Sequence, residues 1–164
     1  MSDTLKTNRA QRPNRSVARL CAVQALYALR VGDQKRSDVL ADFRLHRIPE
    51  ITGDKGFKAP DEEFFVSLVE SAEDHADELD GLISAVLAED WPLERLETLL
   101  HMLFRAAAYE LAWRLDIPAK VVINEYVDLA HAFFSEGEPG MVNGILDRLS
   151  RELRPEEVGG NDPR

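Results

Sequence analysis

Residues 14–30, NRSVARLCAVQALYALR, predict a helix with two arginines near its start and almost no charge further along. Arg15 and Arg19 are four residues apart and therefore share one face of that helix. The apolar residues that follow leave hardly any polar face, which is typical of a helix buried by its own bundle or by a partner. We predict a helix over residues 15–31, with Gly32 as a left-handed C-cap. The exposed end of a core helix then carries the basic charge.

The rest of the chain also has the apolar spacing of helices, and no stretch alternates with the period of two that strands need. Ser37 and Asp61 are candidate N-caps, and Pro92 and Pro118 suit first-turn positions. Residues 48–60 concentrate Pro and Gly and predict a surface loop. The predicted helices cover about residues 37–47, 61–87 as one helix or two, 92–115, 118–134 and 138–153.

The length and composition predict one domain. The chain has 164 residues, of which 45% are apolar and 30% charged, which is ordinary for a globular protein. We predict an all-α fold, a compact bundle of about seven helices over residues 15–154. A flexible basic arm over residues 1–14 and a flexible tail over residues 155–164 are expected to flank it.

The net charge of −10 is unevenly distributed along the chain. Residues 1–36 contain eight Lys or Arg against two Asp, a net charge of +6, so the remainder carries −16. Residues 61–80 alone hold nine acidic side chains and no Lys or Arg. A protein that coats nucleic acid indiscriminately is therefore excluded, but one end of the molecule could attract RNA while another face repels it.

The cysteine count and the lengths of the apolar runs argue against a secreted or membrane protein. The single cysteine, Cys21, cannot form an internal disulfide and indicates a buried thiol in a reducing compartment. The N-terminus lacks the apolar core of a signal peptide, and no apolar run is long enough to span a membrane. We expect a cytoplasmic protein without membrane contact.

The sequence contains no recognisable catalytic or metal-binding motif. The four histidines show no metal-ligand spacing, and there is no phosphate-binding loop or nucleophile elbow. We predict a protein that is not an enzyme and that uses no metal or cofactor.

The candidate binding residues each have a structural alternative. The basic cluster could contact RNA, or it could be a solvated helix end. Tyr27, Phe133 and Phe134 could stack on bases, although aromatic residues at such spacing more often belong to the core. Asn124 and Asn143 in otherwise apolar helices favour capping or hydrogen bonds between helices.

Five strings in a fixed order resemble the NusB family of transcription antitermination factors. These are RSVARLCAVQALY at 15–27, LDGLI at 79–83, WPLERLETLLHMLFRAAAYEL at 91–111, IPAKVVINEYVDLAHAFF at 117–134 and MVNGILDRL at 141–149. Each string alone is weak, but the ordered set extends over most of the chain and is specific.

The resemblance implies a non-enzymatic role in bacterial transcription. Family members bind the single-stranded boxA element of nascent RNA together with NusE, a ribosomal protein of the small subunit. The complex joins elongating RNA polymerase and suppresses premature termination, notably in ribosomal RNA operons.

The resemblance also implies roles for particular residues. The family contacts RNA through the arginine-rich start of its first helix, so Arg15 and Arg19 inherit that role, together with Arg9 and Arg12. Tyr27 matches a tyrosine at the NusE interface.

Two positions depart from the family pattern. The central helix of the family often has an acidic partner-contacting residue where this chain has Leu100. Some relatives also have basic residues where this chain has EGEPG at 136–140. The resemblance therefore implies neither a polar contact at Leu100 nor phosphate contacts from residues 136–140.

Two rival interpretations remain open. A similar helical domain precedes the catalytic domain of RNA cytosine methyltransferases, but those enzymes need a long Rossmann-like domain and this chain ends at Arg164. The apolar first helix could instead bury against a second copy, giving a homodimeric module without an RNA role.

Overall fold

The computed structural model describes residues 14–53 and 59–158, and every regular element in these two ranges is helical. The predicted all-α class is confirmed. The chain divides into two compact units, Met1–Ser67 and Leu68–Arg164, and the boundary falls inside the helix Glu62–Asp74. Of the arm predicted over residues 1–14, only Asn14 lies within the described ranges, so the arm's flexibility stays a prediction.

The first unit contains α1 (Arg15–Val31), α2 (Arg36–Asp42), a π-helical segment (Phe43–Arg47), α3 (Ile48–Thr52) and the first residues of α4 (Glu62–Asp74). Asn14 caps α1, because its side-chain oxygen accepts a hydrogen bond of 3.0 Å from the Val17 N–H. The helix predicted over residues 15–31 is confirmed, and its middle is buried around Cys21. Burial raises the pKa of the Cys21 thiol to about 11, so the thiol is protonated and unreactive at neutral pH.

The C-cap predicted for α1 has a different conformation. Gly32 has a φ of −106°, so it is extended rather than left-handed. A Cβ at this position would lie 2.9 Å from the Ala28 carbonyl oxygen, which is the acceptor of the Gly32 N–H. Glycine is needed here for the close approach of two backbone groups.

The predictions for residues 37–60 were partly wrong. Ser37 is not the cap, since α2 begins at Arg36 after Lys35. The helical path does not end at Arg47, because the π-helical segment connects α2 directly to α3. Pro49 is the second residue of α3, directly after the π-helical segment. The predicted loop is therefore helical through Thr52.

The second unit contains the remainder of α4, α5 (Ala76–Val86), a 3₁₀ turn (Leu93–Arg95), α6 (Thr98–Trp113), α7 (Ala119–Phe133), α8 (Glu138–Leu153) and α9 (Pro155–Val158). The break at His75 makes two helices of residues 62–86. The predicted start at Pro92 gives only the 3₁₀ turn, and α6 begins at Thr98. Residues 155–158, placed by the sequence in a flexible tail, form α9.

The core of the second unit lies where α6, α7 and α8 pack against one another. These three helices contribute many of the largest fully buried side chains: Met102, Leu103, Phe104, Leu111, Tyr126, Leu146 and Leu149. The Tyr126 hydroxyl donates a hydrogen bond to the buried Glu110 carboxylate. The buried Glu110 carboxylate of α6 therefore has a hydrogen-bond donor on the neighbouring helix α7.

Candidate nucleic-acid interface

The start of α1 is attached to the start of α4 by backbone hydrogen bonds. The Asn14 N–H donates to the Ala59 carbonyl at 2.8 Å, and the Asp61 N–H donates to the Asn14 carbonyl at 3.2 Å. These bonds form an isolated parallel bridge between Asn14 and Pro60. These backbone hydrogen bonds therefore set the position of Arg15 relative to the start of α4.

Arg15 is the exposed arginine of this junction. Its side chain is 42% exposed, and its Nε donates to the Asp61 carboxylate at 3.3 Å. Its guanidinium carbon lies 4.7 Å from the centre of the Phe64 ring, a distance typical of a cation–π contact. The Arg15 guanidinium is therefore accessible to an external anion, and the Asp61 carboxylate already lies beside it.

Arg19 lies on the same ring but is buried. It is 3% exposed, and its guanidinium carbon is 5.0 Å from the centre of the Phe64 ring. The predicted shared face of Arg15 and Arg19 is present, because both contact Phe64. Arg9 and Arg12 lie outside the described residues.

Sequence reasoning missed Asp61 and Phe64 as members of this site. Asp61 was predicted only as a helix cap, which it is, since its Oδ1 accepts a hydrogen bond of 3.0 Å from the Phe64 N–H. Phe64 was predicted only as a residue of the helical stretch 61–87. No local sequence signal links either residue to Arg15, which is more than 40 positions away.

Tyr27 occupies a different part of α1. Its side chain is 40% exposed, although its neighbours Ala25 and Leu26 are buried. Twelve residues separate it from Arg15, about 18 Å along a helix. The two predicted contact residues therefore mark separate regions of the helix, as separate binding partners would require.

The second unit has an open groove of about 730 Å³ with mostly apolar walls. Leu100, which is 4% exposed, forms part of the wall, and Trp91, which is 47% exposed, lies at the groove. The charged residues of the lining are Glu136, which precedes α8, Glu138, which is its first residue, Arg95 and Arg148. The departure at Leu100 therefore places an apolar side chain in an apolar wall.

A charged cluster in the second unit connects α5 to α6. The Asp80 carboxylate accepts hydrogen bonds from Arg105 at 2.7 and 2.8 Å and contacts the His101 ring nitrogen at 2.7 Å. Burial alone would raise the pKa of Asp80, but the hydrogen bonds from Arg105 and His101 outweigh that effect and lower it. The carboxylate is therefore ionised at neutral pH and stabilises the packing of the two helices.

The described part of the chain contains no group of three His, Cys, Asp or Glu side chains arranged to hold a metal ion. None of the described helices is long and apolar enough to cross a membrane.

The fold and this site define an all-α protein that presents an arginine at the capped start of its first core helix. A family model matches residues 16–151, and the chain belongs to the NusB family. The family recognised from the sequence is thereby confirmed.

Two relatives illustrate the similarity of sequence. The transcription antitermination protein NusB of Bradyrhizobium sp. (strain BTAi1) is 40% identical over 156 residues, which cover 94% of this chain and 92% of the relative. The protein of the same name from Rhodopseudomonas palustris (strain BisB5) is 45% identical over 141 residues, which cover 85% and 80%.

Solved structures show the same fold. T. maritima NusB superposes with a TM-score of 0.73 at 29% identity, over 91% of this chain and 99% of that one. A chain in the crystal structure of antitermination factors NusB and NusE in complex with dsRNA superposes with a TM-score of 0.66, over 84% and 96%. The identity to this second chain is 24%, so its likeness concerns the fold.

Proposed function

We propose that this chain is a transcription antitermination factor that binds boxA-type single-stranded RNA together with NusE. The complex joins elongating RNA polymerase, notably on ribosomal RNA operons, in the cytoplasm. The observation that carries this proposal is the exposed Arg15 at the start of α1, within the only strongly basic segment of a family member. Relatives that are 40–45% identical are named transcription antitermination proteins.

The division of roles follows the exposure of the residues. Arg15 contacts RNA phosphates, together with Arg9 and Arg12. Arg19 is buried against the same Phe64 ring and supports the Arg15 contact through that ring. Tyr27 and Leu100 are each assigned a contact with NusE. Leu100 makes an apolar contact in place of the polar one expected in the family.

The factor acts by binding and has no catalytic activity. Support comes from the sequence, which contains no nucleophile motif, metal-ligand spacing or phosphate loop. Incubation of the folded protein with boxA RNA, nucleoside triphosphates and S-adenosylmethionine should leave all three unchanged. Turnover that follows the folded protein through purification would contradict this part of the proposal.

Fluorescence anisotropy on labelled boxA RNA tests the RNA role, with and without NusE and at several salt concentrations. Neutralising two to four phosphates predicts a slope of log K against log salt of roughly −1.4 to −2.8. Arg15→Ala should make that slope shallower by about 0.7 and weaken binding to any sequence. NusE should tighten binding, because it offers a second RNA-facing surface.

The alternative of a homodimeric module without an RNA role gives a different result. Such a module would elute as a dimer in size-exclusion chromatography and would not bind boxA RNA at any salt concentration, with or without NusE. That outcome would favour the homodimeric module and contradict the proposed function.

A further inference from the structure

We propose that Asp61 sets the RNA affinity of this surface, because its carboxylate competes with RNA phosphate for Arg15. This inference rests on the proposed function. Asp61 would weaken the contact between RNA and the free protein. Stable RNA binding would then depend on NusE.

The Asp61 carboxylate is held in one position by the backbone around it. Its Oδ1 accepts the hydrogen bond from the Phe64 N–H at 3.0 Å, and its carbonyl accepts from the Phe65 N–H at 3.0 Å. Its own N–H donates to the Asn14 carbonyl at 3.2 Å. With only 20% of the side chain exposed, the carboxylate cannot swing away when a phosphate approaches.

The other oxygen of this carboxylate, Oδ2, faces Arg15. The Arg15 Nε donates to Oδ2 at 3.3 Å, while the guanidinium rests on the Phe64 ring. Carboxylate and phosphate oxygens accept the same N–H donors of a guanidinium group. A phosphate that accepts a hydrogen bond from the Arg15 Nε must therefore break the bond to Oδ2, and it then lies beside the fixed negative charge of Asp61.

The competition acts on every RNA sequence, because phosphate contacts carry no sequence information. Asp61 consequently lowers non-specific affinity along with specific affinity. A site weakened in this way retains RNA only when a second surface adds affinity, which is the role we assign to NusE. The nine acids of residues 61–80 would repel RNA in general, but only Asp61 has an ion pair with Arg15 among the described residues.

The variant Asp61→Asn removes the negative charge beside Arg15 but keeps a side-chain oxygen that can cap α4. Asparagine is as good an N-cap as aspartate, so α4 should keep its start. The matched control is Glu63→Gln, which removes one negative charge from the exposed first turn of the same helix, away from the Arg15 ion pair. Circular dichroism and thermal unfolding verify that both variants fold as the wild type does.

Anisotropy with boxA RNA then measures the effect. Asp61→Asn should bind boxA about two- to fivefold more tightly than wild type, the range expected when an exposed ion pair no longer competes. Glu63→Gln should change affinity little, since its charge is screened by solvent and salt. In an Arg15→Ala background, Asp61→Asn should have no further effect, because the competed group is absent.

Two results would overturn the proposal: equal tightening by Asp61→Asn and Glu63→Gln, or tightening by Asp61→Asn that persists in the Arg15→Ala background. The Arg15 Nε–H signal in NMR spectra of the RNA-free protein gives an independent readout. It should shift in Asp61→Asn and stay in place in Glu63→Gln, and an unchanged signal in both would also overturn the proposal. Failure of wild type to bind boxA with NusE is a separate outcome that defeats the proposed function itself.

Discussion

The Phe64 ring is in contact with two guanidinium groups whose different exposures give them different tasks. Arg15 is exposed enough to exchange its partner, whereas Arg19 is almost completely buried. A buried arginine stabilises through its aliphatic stem and through desolvated contacts with the ring. The loss of Arg19 should therefore affect folding, and the loss of Arg15 should affect binding.

Arg19→Ala should lower the free energy of unfolding by about 1–2 kcal/mol, because it removes a buried cation–π contact and its packing. Arg15→Ala should cost less than about 1 kcal/mol, since an exposed ion pair contributes little. Urea unfolding followed by circular dichroism compares the two variants. Equal stability losses would show that exposure does not distinguish them.

Asp80→Asn should lower stability by about 1–3 kcal/mol at neutral pH, because it removes the charged acceptor shared by Arg105 and His101. The pKa of Asp80 is lowered from 3.8 in the folded state, so its ionised form stabilises the fold above that value. This contribution is lost as the pH falls through the folded pKa.

Thermal unfolding of wild type and Asp80→Asn between neutral and acidic pH measures this dependence. The difference should be largest above about pH 4 and should shrink as the pH falls through the lowered pKa of folded Asp80, where the wild-type carboxylate also becomes neutral. The control Asp77→Asn changes an exposed acid on the same helix and should have little effect at any pH. A constant difference across the pH range would exclude the ion pair as its source.

At the scale of elements, the C-terminus of α6 depends on a residue from beyond the end of α8. Arg154, which is 5% exposed, donates hydrogen bonds to four carbonyls at the end of α6 and in the turn after it, at distances of 2.7–3.0 Å. These carbonyls belong to Glu110, Leu111, Arg114 and Ile117. The Glu110 and Arg114 carbonyls also accept backbone hydrogen bonds, from the N–H groups of Arg114 and Ile117. The last carbonyls of a helix run short of intrahelical donors, so the guanidinium fork acts as a cap supplied from a distant part of the chain.

The helix α9 continues this connection to α7. Glu157 accepts hydrogen bonds from the Ala119 N–H at 2.6 Å and from Arg154 at 3.1 Å. The hydrogen bond from the Ala119 backbone lowers the pKa of Glu157, so the carboxylate stays charged near the positive end of α7. Residues 154–157 therefore hold the turn between α6 and α7.

Arg154→Ala should lower the free energy of unfolding by about 3 kcal/mol, because it removes the donor of several buried carbonyls. Arg154→Lys should be intermediate, since an ammonium group keeps the charge but lacks the planar fork. Arg151→Ala, which removes an exposed ion pair with Asp147, is the control and should cost less than about 0.5 kcal/mol. If lysine restored full stability, charge rather than geometry would be responsible.

At the scale of the whole molecule, the charge asymmetry limits where RNA can bind. A net charge of −16 over residues 37–164 repels phosphate, so attraction has to come from residues 1–36. Tyr27 lies in the same segment but about 18 Å from Arg15 along α1, where a protein partner would not block the RNA. The helix can then contact both partners at once.

Tyr27→Ala should weaken the complex with NusE by about fivefold or more, because truncating an aromatic residue at an interface typically costs above about 1 kcal/mol. Size-exclusion chromatography of the mixed proteins should give one peak for wild type and a partly dissociated one for the variant. Leu45→Ala removes a 69% exposed apolar side chain outside α1 and should leave the complex intact. Two independent wild-type peaks at micromolar concentration would contradict the partner assignment.

The sequence by itself determined the helical class, the course of α1 and the concentration of positive charge in residues 1–36. Apolar spacing and net charge are properties of consecutive residues, and the ordered motifs identified the family. The tertiary structure decided which arginine is exposed, since Arg15 and Arg19 look equivalent until Phe64 is brought beneath both of them. It also decided that Asp61 faces Arg15 and that Arg154 caps α6, because these contacts join residues more than 35 positions apart, where local periodicity carries no information.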